Sequence, residues 1–287
     1  MAVRPPAIHV RVRLFAMQRE LAGTREVGLD LPAGATVEDA WRALVERLPV
    51  LAPGRPAVRF ARNREYVDAS TTLADGDELA CIPPVSGGAA EGAGAAGEGV
   101  PGERTGSADR GGPIVGVQAE PFAPDVAVRL AARLVTPADG AVVTFLGVTR
   151  ETPGRPAPGE EAASAQHAGE PVEALTYEAH EDMAAAVLAT IAAEVEARFG
   201  VTRLALLHRT GLVPLGEPSV VVVAAAPHRD VAFAAARYAI DEAKARAPIW
   251  KAERYATGHV WTGEPARTAA RDESEPPEAT PDLEADR

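Results

Sequence analysis

Cysteine occurs once in this 287-residue chain, at Cys81. A single thiol excludes a disulfide framework and any Cys-based zinc site. Lysine is nearly as scarce, with Lys244 and Lys251 standing against 27 arginines. Positive charge is in deficit overall: the formal net charge is −12 and the pI about 5.1. A general nucleic-acid binder is thereby disfavoured, because no cationic surplus exists to displace counterions from phosphates. No run of 18 apolar residues occurs, and the opening Met-Ala-Val-Arg-Pro-Pro holds no apolar leader core. A soluble, cytoplasmic protein with no membrane partner is the expectation. What is present is enough apolar sequence, 46%, to build packed cores, and a length suited to two domains.

Charge is unevenly placed. Residues 1–88 carry 11 acids and 11 bases, whereas the last twenty, 268–287, carry seven acids and two arginines. That Pro/Glu/Asp-rich stretch has little to bury and reads as a disordered acidic tail. Ala89–Pro113 is rich in Gly, Ala and Glu without hydrophobic period, the composition of a flexible linker. A second domain then fills 114–267. It is interrupted at Thr152–Pro171, where Pro153, Gly154, Pro156, Pro158, Gly159 and Gly169 predict a long mobile loop.

In the first domain Ile8–Leu14 and Glu26–Leu31 alternate apolar and polar residues, so two pairing strands are predicted. Thr36 offers an N-cap with Asp39 three residues on, and Val37, Ala40, Trp41, Leu44 and Leu48 follow at helical spacing. Strands at Ala57–Ala61 and Glu78–Ile82 complete a strand-strand-helix-strand-strand order, that of a β-grasp, ubiquitin-like domain. It ends Pro83-Pro84-Val85-Ser86-Gly87-Gly88. Two prolines fix an extended exit, and two glycines leave a thin tail without side chains. By themselves the glycines leave two readings open: a tail shaped to thread into another protein's site, or the start of the linker. Taken with the preceding Cys81-Ile82 strand and with Leu14-Phe15-Ala16, the string resembles the small sulfur-carrying subunit of molybdopterin synthase.

The second domain is predicted to be α+β with a largely antiparallel sheet. Helices are expected at Val126–Leu134, Met183–Phe199 and Asp230–Arg246, and strands at Ala141–Gly147, Leu175–Ala179, Leu204–His208 and Ser219–Ala226. Both lysines fall in one stretch, Lys244 to Lys251. Arg is always protonated and forked, while Lys is a slim amine whose pKa falls on burial and which can act as a nucleophile. A chain that uses Arg almost everywhere has kept Lys where Arg would not serve. The plain alternative is two ordinary surface lysines that survived a codon bias. Arg150 follows a strand and a glycine, His228-Arg229 opens the helix that carries Lys244, and His208-Arg209 ends a strand. Together these cations suit a phosphorylated small molecule. For Arg209 a salt bridge to Glu217 or Glu178 is expected. His180 reads as a solvated or capping residue and His167 as an inert loop residue.

Phe145-x-Gly147-x-x-Arg150, Leu175-x-Tyr177-Glu178, His208-Arg209-x-Gly211, Gly216-Glu217 and His228-Arg229 occur in that order. Asp241-x-x-Lys244-x-x-x-Pro248-Ile249-Trp250-Lys251-x-Glu253 follows. The set resembles the large catalytic subunit of molybdopterin synthase, so the chain reads as a fusion of small and large subunits. The resemblance implies a diglycine carboxylate activated by an E1-like adenylating enzyme and converted to a thiocarboxylate by a sulfur donor. That tail would then give sulfur to cyclic pyranopterin monophosphate to build the molybdopterin dithiolene. It further implies Lys244 beside the Gly88 carbonyl, and Lys251 holding substrate and stabilising developing negative charge. Arg150, His228 and Arg229 would bind phosphate and pterin, with Val148, Thr149, Ala252 and Glu253 lining the site. A homodimer through the catalytic domain is implied, with no metal or other cofactor, since sulfur travels on Gly88.

Two departures follow. The loop after Arg150 is longer than the family pattern needs. Gly88 is followed by Ala89, so its carboxyl is locked in a peptide bond, and a processing protease is expected to cut there, in an exposed Gly-rich stretch. The rival is an uncleaved, non-enzymatic scaffold, a ubiquitin-like domain fused to a phosphate-ligand-binding domain. A phosphate-ester hydrolase ranks last, for want of paired carboxylates or metal ligands at useful spacing.

Overall fold

The computed structural model describes residues 7–85, 112–157 and 159–263. Gly87-Gly88, most of the expected linker and the acidic tail lie outside them.

The first domain runs β1 (Ala7–Leu14), α1 (Ala16–Ala22), β2 (Glu26–Pro32) and α2 (Val37–Arg47). A 3-10 segment, Pro49–Ala57, leads to β3 (Arg59–Arg62), β4 (Glu65–Val67) and β5 (Glu78–Ile82). The sheet order is β2-β1-β5-β3-β4, with β1 parallel to β5 and the other pairs antiparallel, a β-grasp as expected. α2 begins where the sequence places it, because the Thr36 side chain accepts from the Asp39 N–H while Asp39 accepts from the Thr36 N–H. Its apolar face packs Val37, Ala40, Trp41 and Leu44 onto Val10, Val12 and Leu29. Three elements differ from the sequence reading, one of them β4, a three-residue strand the sequence analysis does not place. A short helix, α1, separates the first two strands and ends at Gly23 in left-handed conformation (φ 67°). The third strand starts at Arg59, because three prolines hold 49–57 in 3-10 turns.

The second domain contains β6 (Ile114–Gln118), α3 (Val126–Leu134), β7 (Ala141–Val148), α4 (Glu161–Gln166), β8 (Ala174–Ala179) and α5 (Glu181–Phe199). β9 (Leu204–Arg209), β10 (Gly211–Pro214), β11 (Pro218–Ala226), α6 (Arg229–Arg246), β12 (Ile249–Tyr255) and β13 (Gly258–Thr262) follow. These strands form two sheets, β6-β9-β11-β7 and β10-β8-β12-β13, antiparallel except for the β6–β9 pair. β11 is buried on both faces, which is why Val220–Ala226 reads as a continuous apolar run. Val220, Val222 and Ala224 pack toward α5 and α6, while Val221, Val223 and Ala225 pack toward Leu130 and Leu134 of α3. No helix among the described residues is long and apolar enough to cross a membrane.

A separate core joins the two domains. Phe15, Ala61, Ile82 and Val85 from the first pack on Met183, Trp250, Ala252 and Trp261 from the second. Phe15 stacks between Trp250 and His180, with centroids at 5.0 and 5.2 Å. His180 is therefore buried rather than solvated, and its side chain makes no cap on α5. Arg19–Glu178 and Arg64–Asp182, each 3.0 Å, and Glu20 with His259 and Trp261 fasten the rim.

The segment expected as a mobile loop is instead built into the second domain. Its ends are joined by the Val172 N–H donating to the Glu151 carbonyl (2.9 Å), and Pro156 bridges Thr262 at the edge of β13. α4 lies within it, and Ala157 is buried in the interdomain core. His167 is packed as well, its ring parallel to Tyr255 with centroids 4.5 Å apart.

Candidate active site

Lys244 sits in the last turn of α6, which Ala247 and Pro248 end, and the chain reverses at once into β12. The reversal returns Lys251 toward Lys244. In the register of β12 on β8, Lys251 pairs with Tyr177 and Glu253 with Leu175. Because strand side chains alternate, these four share one face of the sheet. They line a cavity of about 350 Å³ with Lys244, Arg150, Thr152, His208, Ser219 and the end of β7, Phe145–Val148. The cavity thus lies between the two sheets, below the C-terminal end of α6.

Its electrostatics are cationic within an acidic chain: Arg150, Lys244 and Lys251 face one carboxylate, Glu253. Burial pushes the Lys251 ammonium down from its ordinary range, and Lys244 and Arg150 push the same way against the opposing pull of Glu253. Lys251 Nζ lies 3.5 Å from Glu253 Oε1. Glu253 is almost wholly buried and its oxygens are occupied: the Gly154 N–H donates to Oε1 (2.8 Å) and the Tyr255 hydroxyl to Oε2 (3.1 Å). His208 is neutral, since burial drives its imidazole down to about 4, with Lys244 acting in the same direction. Its Nδ1–H donates to the Arg209 carbonyl (2.8 Å), which leaves Nε2 as an acceptor. Burial likewise raises the Tyr177 phenol, so it stays protonated and donates to Ser219 Oγ (3.1 Å).

Of the residues selected from sequence, Val148, Arg150, Lys244, Lys251 and Glu253 meet at this cavity. Thr149 lies beside it, buried, its hydroxyl without a hydrogen-bond partner. Ala252 faces the other side of β12, toward a cleft that also meets Arg19 and Glu178 of the domain junction. His228 and Arg229 are exposed at the opposite end of α6, about 22 Å from Lys244 at 1.5 Å per residue. Within one chain they do not reach the cavity. Arg209 makes the expected salt bridge to Glu217 (2.7 Å). Sequence reasoning did not assign Ser219 or Thr152 to the site, and it weighed His208-Arg209 as part of the cation cluster but favoured a salt bridge for the pair. A His beside an Arg at a strand end was the signal for His208, but its neighbour's salt bridge accounted for both.

The first domain delivers its end to this neighbourhood. After β5, the Pro83 carbonyl accepts from Trp250 Nε1–H (3.0 Å), and Val85, the last described residue before 112, is fully buried. Trp250 immediately precedes Lys251.

Comparison with known proteins agrees with both halves. The ThiS family model matches residues 12–88 and the MoaE protein model matches 117–246. A molybdopterin synthase catalytic subunit of Bacillus subtilis is 36% identical over 144 residues, covering 50% of this chain and 80% of that protein. One from Oryza sativa subsp. indica is 45% identical over 124 residues, covering 43% of this chain and 57% of the rice protein. A solved structure of molybdopterin synthase from Staphylococcus aureus aligns with 29% identity over 52% of this chain and 96% of that one, with a TM-score of 0.43. Lys244, Lys251 and the strand-to-tail exit thus lie in a chain that belongs to the molybdopterin synthase catalytic-subunit family, joined on one polypeptide to an N-terminal ThiS-family β-grasp domain.

Proposed function

We propose that this chain acts in molybdenum cofactor biosynthesis as a molybdopterin synthase that carries its own sulfur donor domain. The observation that carries the reading is the convergence of Arg150 with the chain's two lysines on one cavity, next to the tryptophan that holds the carrier's exit strand. Three cations against one carboxylate suit an anionic substrate, cyclic pyranopterin monophosphate. The tail, cut after Gly88 by a processing protease and converted to a thiocarboxylate through an E1-like enzyme and a sulfur donor, would extend from Val85 past Trp250 into the cavity. Its sulfur bonds to a side-chain carbon of the pterin as the carbon–oxygen bond at that carbon breaks and the oxygen leaves. Water then attacks the thioester carbonyl, the carbonyl–sulfur bond breaks with sulfur staying on the pterin, and the tail leaves as a carboxylate. Two such rounds give the dithiolene.

In this scheme Lys244 lies beside the Gly88 carbonyl, and Lys251 holds substrate and offsets charge that develops during transfer. Arg150 takes the phosphate. Val148 and Glu253 are part of the wall, and Thr149 is buried behind it. His228 and Arg229 would be supplied by a second copy. β7 is an edge strand whose exposed face presents Val142, Leu146 and Val148, the last two lining the cavity, so a partner seated there would border the site.

The test is turnover of cyclic pyranopterin monophosphate with the processed, thiocarboxylated protein, followed by mass spectrometry of the pterin. Lys244→Ala and Lys251→Ala should each lower the rate by roughly 100-fold or more, as loss of a preorganised charge does. Lys251→Arg should not restore it, because the fork cannot occupy an amine's place. Unchanged turnover in Lys244→Ala would favour the scaffold reading.

A further inference from the structure

The segment between Arg150 and Val172 reaches the lysine pocket with its backbone. Gly154 has an ordinary backbone conformation rather than a left-handed one. It is nevertheless glycine at a close approach: a Cβ there would stand 3.0 Å from Glu253 Oε1 and 3.5 Å from Lys251 Nζ. The bare peptide can therefore lay its N–H on Glu253. From the other side the Tyr255 hydroxyl takes the second carboxylate oxygen. Tyr255 is fixed in turn by the inserted segment, because His167 stacks flat on its ring and stands 3.2 Å from where a Cβ of Gly258 would be. His167 Nδ1 lies 3.0 Å from the Thr257 hydroxyl, which donates to Glu170 (3.1 Å). The segment thus touches the Glu253 carboxylate directly through Gly154 and indirectly through His167 and Tyr255.

We propose that this insertion is a fixed wall of the active site, and that Gly154 and Tyr255 are positioning residues that clamp the Glu253 carboxylate against the Lys251 ammonium. The proposal rests on the reading of Lys251 as the working amine. The titratable and charged groups facing Lys251 are Glu253 on its own strand, Lys244 from α6, Arg150 after β7, Tyr177 opposite it on β8 and His208 on β9. Glu253 alone favours the protonated amine. A clamp that keeps this carboxylate near holds the ammonium charged, while burial and the two cations pull the other way. A side chain at 154, or loss of the Tyr255 hydroxyl, would let the carboxylate swing away from Lys251 and leave the cations to dominate.

The experiment is competitive acetylation of the full chain with trace acetic anhydride across pH, read by peptide mass spectrometry. The sequence has two lysines, so the Lys251 label falls on one assignable peptide, and its rate is read against an added free amine as internal standard. Glu253→Gln, Gly154→Ala and Tyr255→Phe should each lower the titration midpoint of Lys251, making it up to about tenfold more reactive at a fixed pH below the midpoint, as expected for loss of one opposite charge. The proposal is overturned if Glu253→Gln shifts Lys251 while Gly154→Ala and Tyr255→Phe, both folded by circular dichroism, leave it in place. It is overturned equally if Glu253→Gln leaves Lys251 unmoved. Because the labelling needs no turnover, a protein that moves no sulfur would refute the proposed activity without deciding this result.

Discussion

Truncating Phe15 should release the carrier domain without unfolding it. Its ring is 4% exposed, stacked against Trp250 and His180 with Arg13 on its face, and belongs to the interdomain core. The cores of α2 with its sheet and of α5 and α6 with theirs contain neither Phe15 nor Trp250. Phe→Ala in such surroundings costs about 3–5 kcal/mol. At about 1.4 kcal/mol per decade, the lower figure is roughly a 100-fold shift toward the undocked state. Two indole N–H groups of the second domain report docking directly, Trp250 on the Pro83 carbonyl and Trp261 on Glu20, whereas Trp41 sits in the first domain's own core. Hydrogen exchange of the three indole resonances by NMR should show Trp250 and Trp261 exchanging about 100-fold faster in Phe15→Ala, with Trp41 unchanged. Unchanged exchange at Trp250 and Trp261, or equal acceleration of all three, would refute the reasoning.

Acidification should unfold the protein partly through His208. Its folded pKa, about 4, lies below the unfolded 6.5, so its favourable contribution is fully present above pH 6.5 and is lost as pH falls toward 4, by up to about 3 kcal/mol. His208→Gln should therefore show a smaller loss of urea-unfolding free energy between pH 7 and 4, and an identical loss would contradict the assignment. Gly140→Ala should destabilise by about 1–3 kcal/mol, because the added methyl would sit 2.5 Å from the Pro227 carbonyl, backbone against backbone. The thermal midpoint should fall by about 2–4 °C per kcal/mol, and an unshifted midpoint would mean that the close approach is relaxed in solution.

Legibility from sequence followed local chemistry. α2 was readable because its capping box and apolar spacing agree, and β11 because burial on both faces makes Val220–Ala226 an unbroken apolar run. α1 escaped because seven residues carry too little periodicity, although Gly23 was an available C-terminal signal. β6 escaped because all five residues are half-buried, so no alternation exists to read. At the site, the scarcity of lysine singled out Lys244 and Lys251. The pairing of β12 with β8, which sets Tyr177 opposite Lys251, depends on tertiary register that spacing does not encode. The insertion's prolines and glycines announced a loop. Nothing local announced that Ala157 and His167 would be buried against another strand, or that Gly154 would hold Glu253.

The central claim is that one polypeptide supplies both the sulfur carrier and the catalytic pocket. Intact-mass spectrometry of the protein purified from its own host tests it most directly. The account predicts an N-terminal fragment ending at Gly88, part of it heavier by one oxygen-to-sulfur exchange, with the catalytic domain alongside. An unbroken 287-residue chain from cells that are making molybdopterin would contradict it.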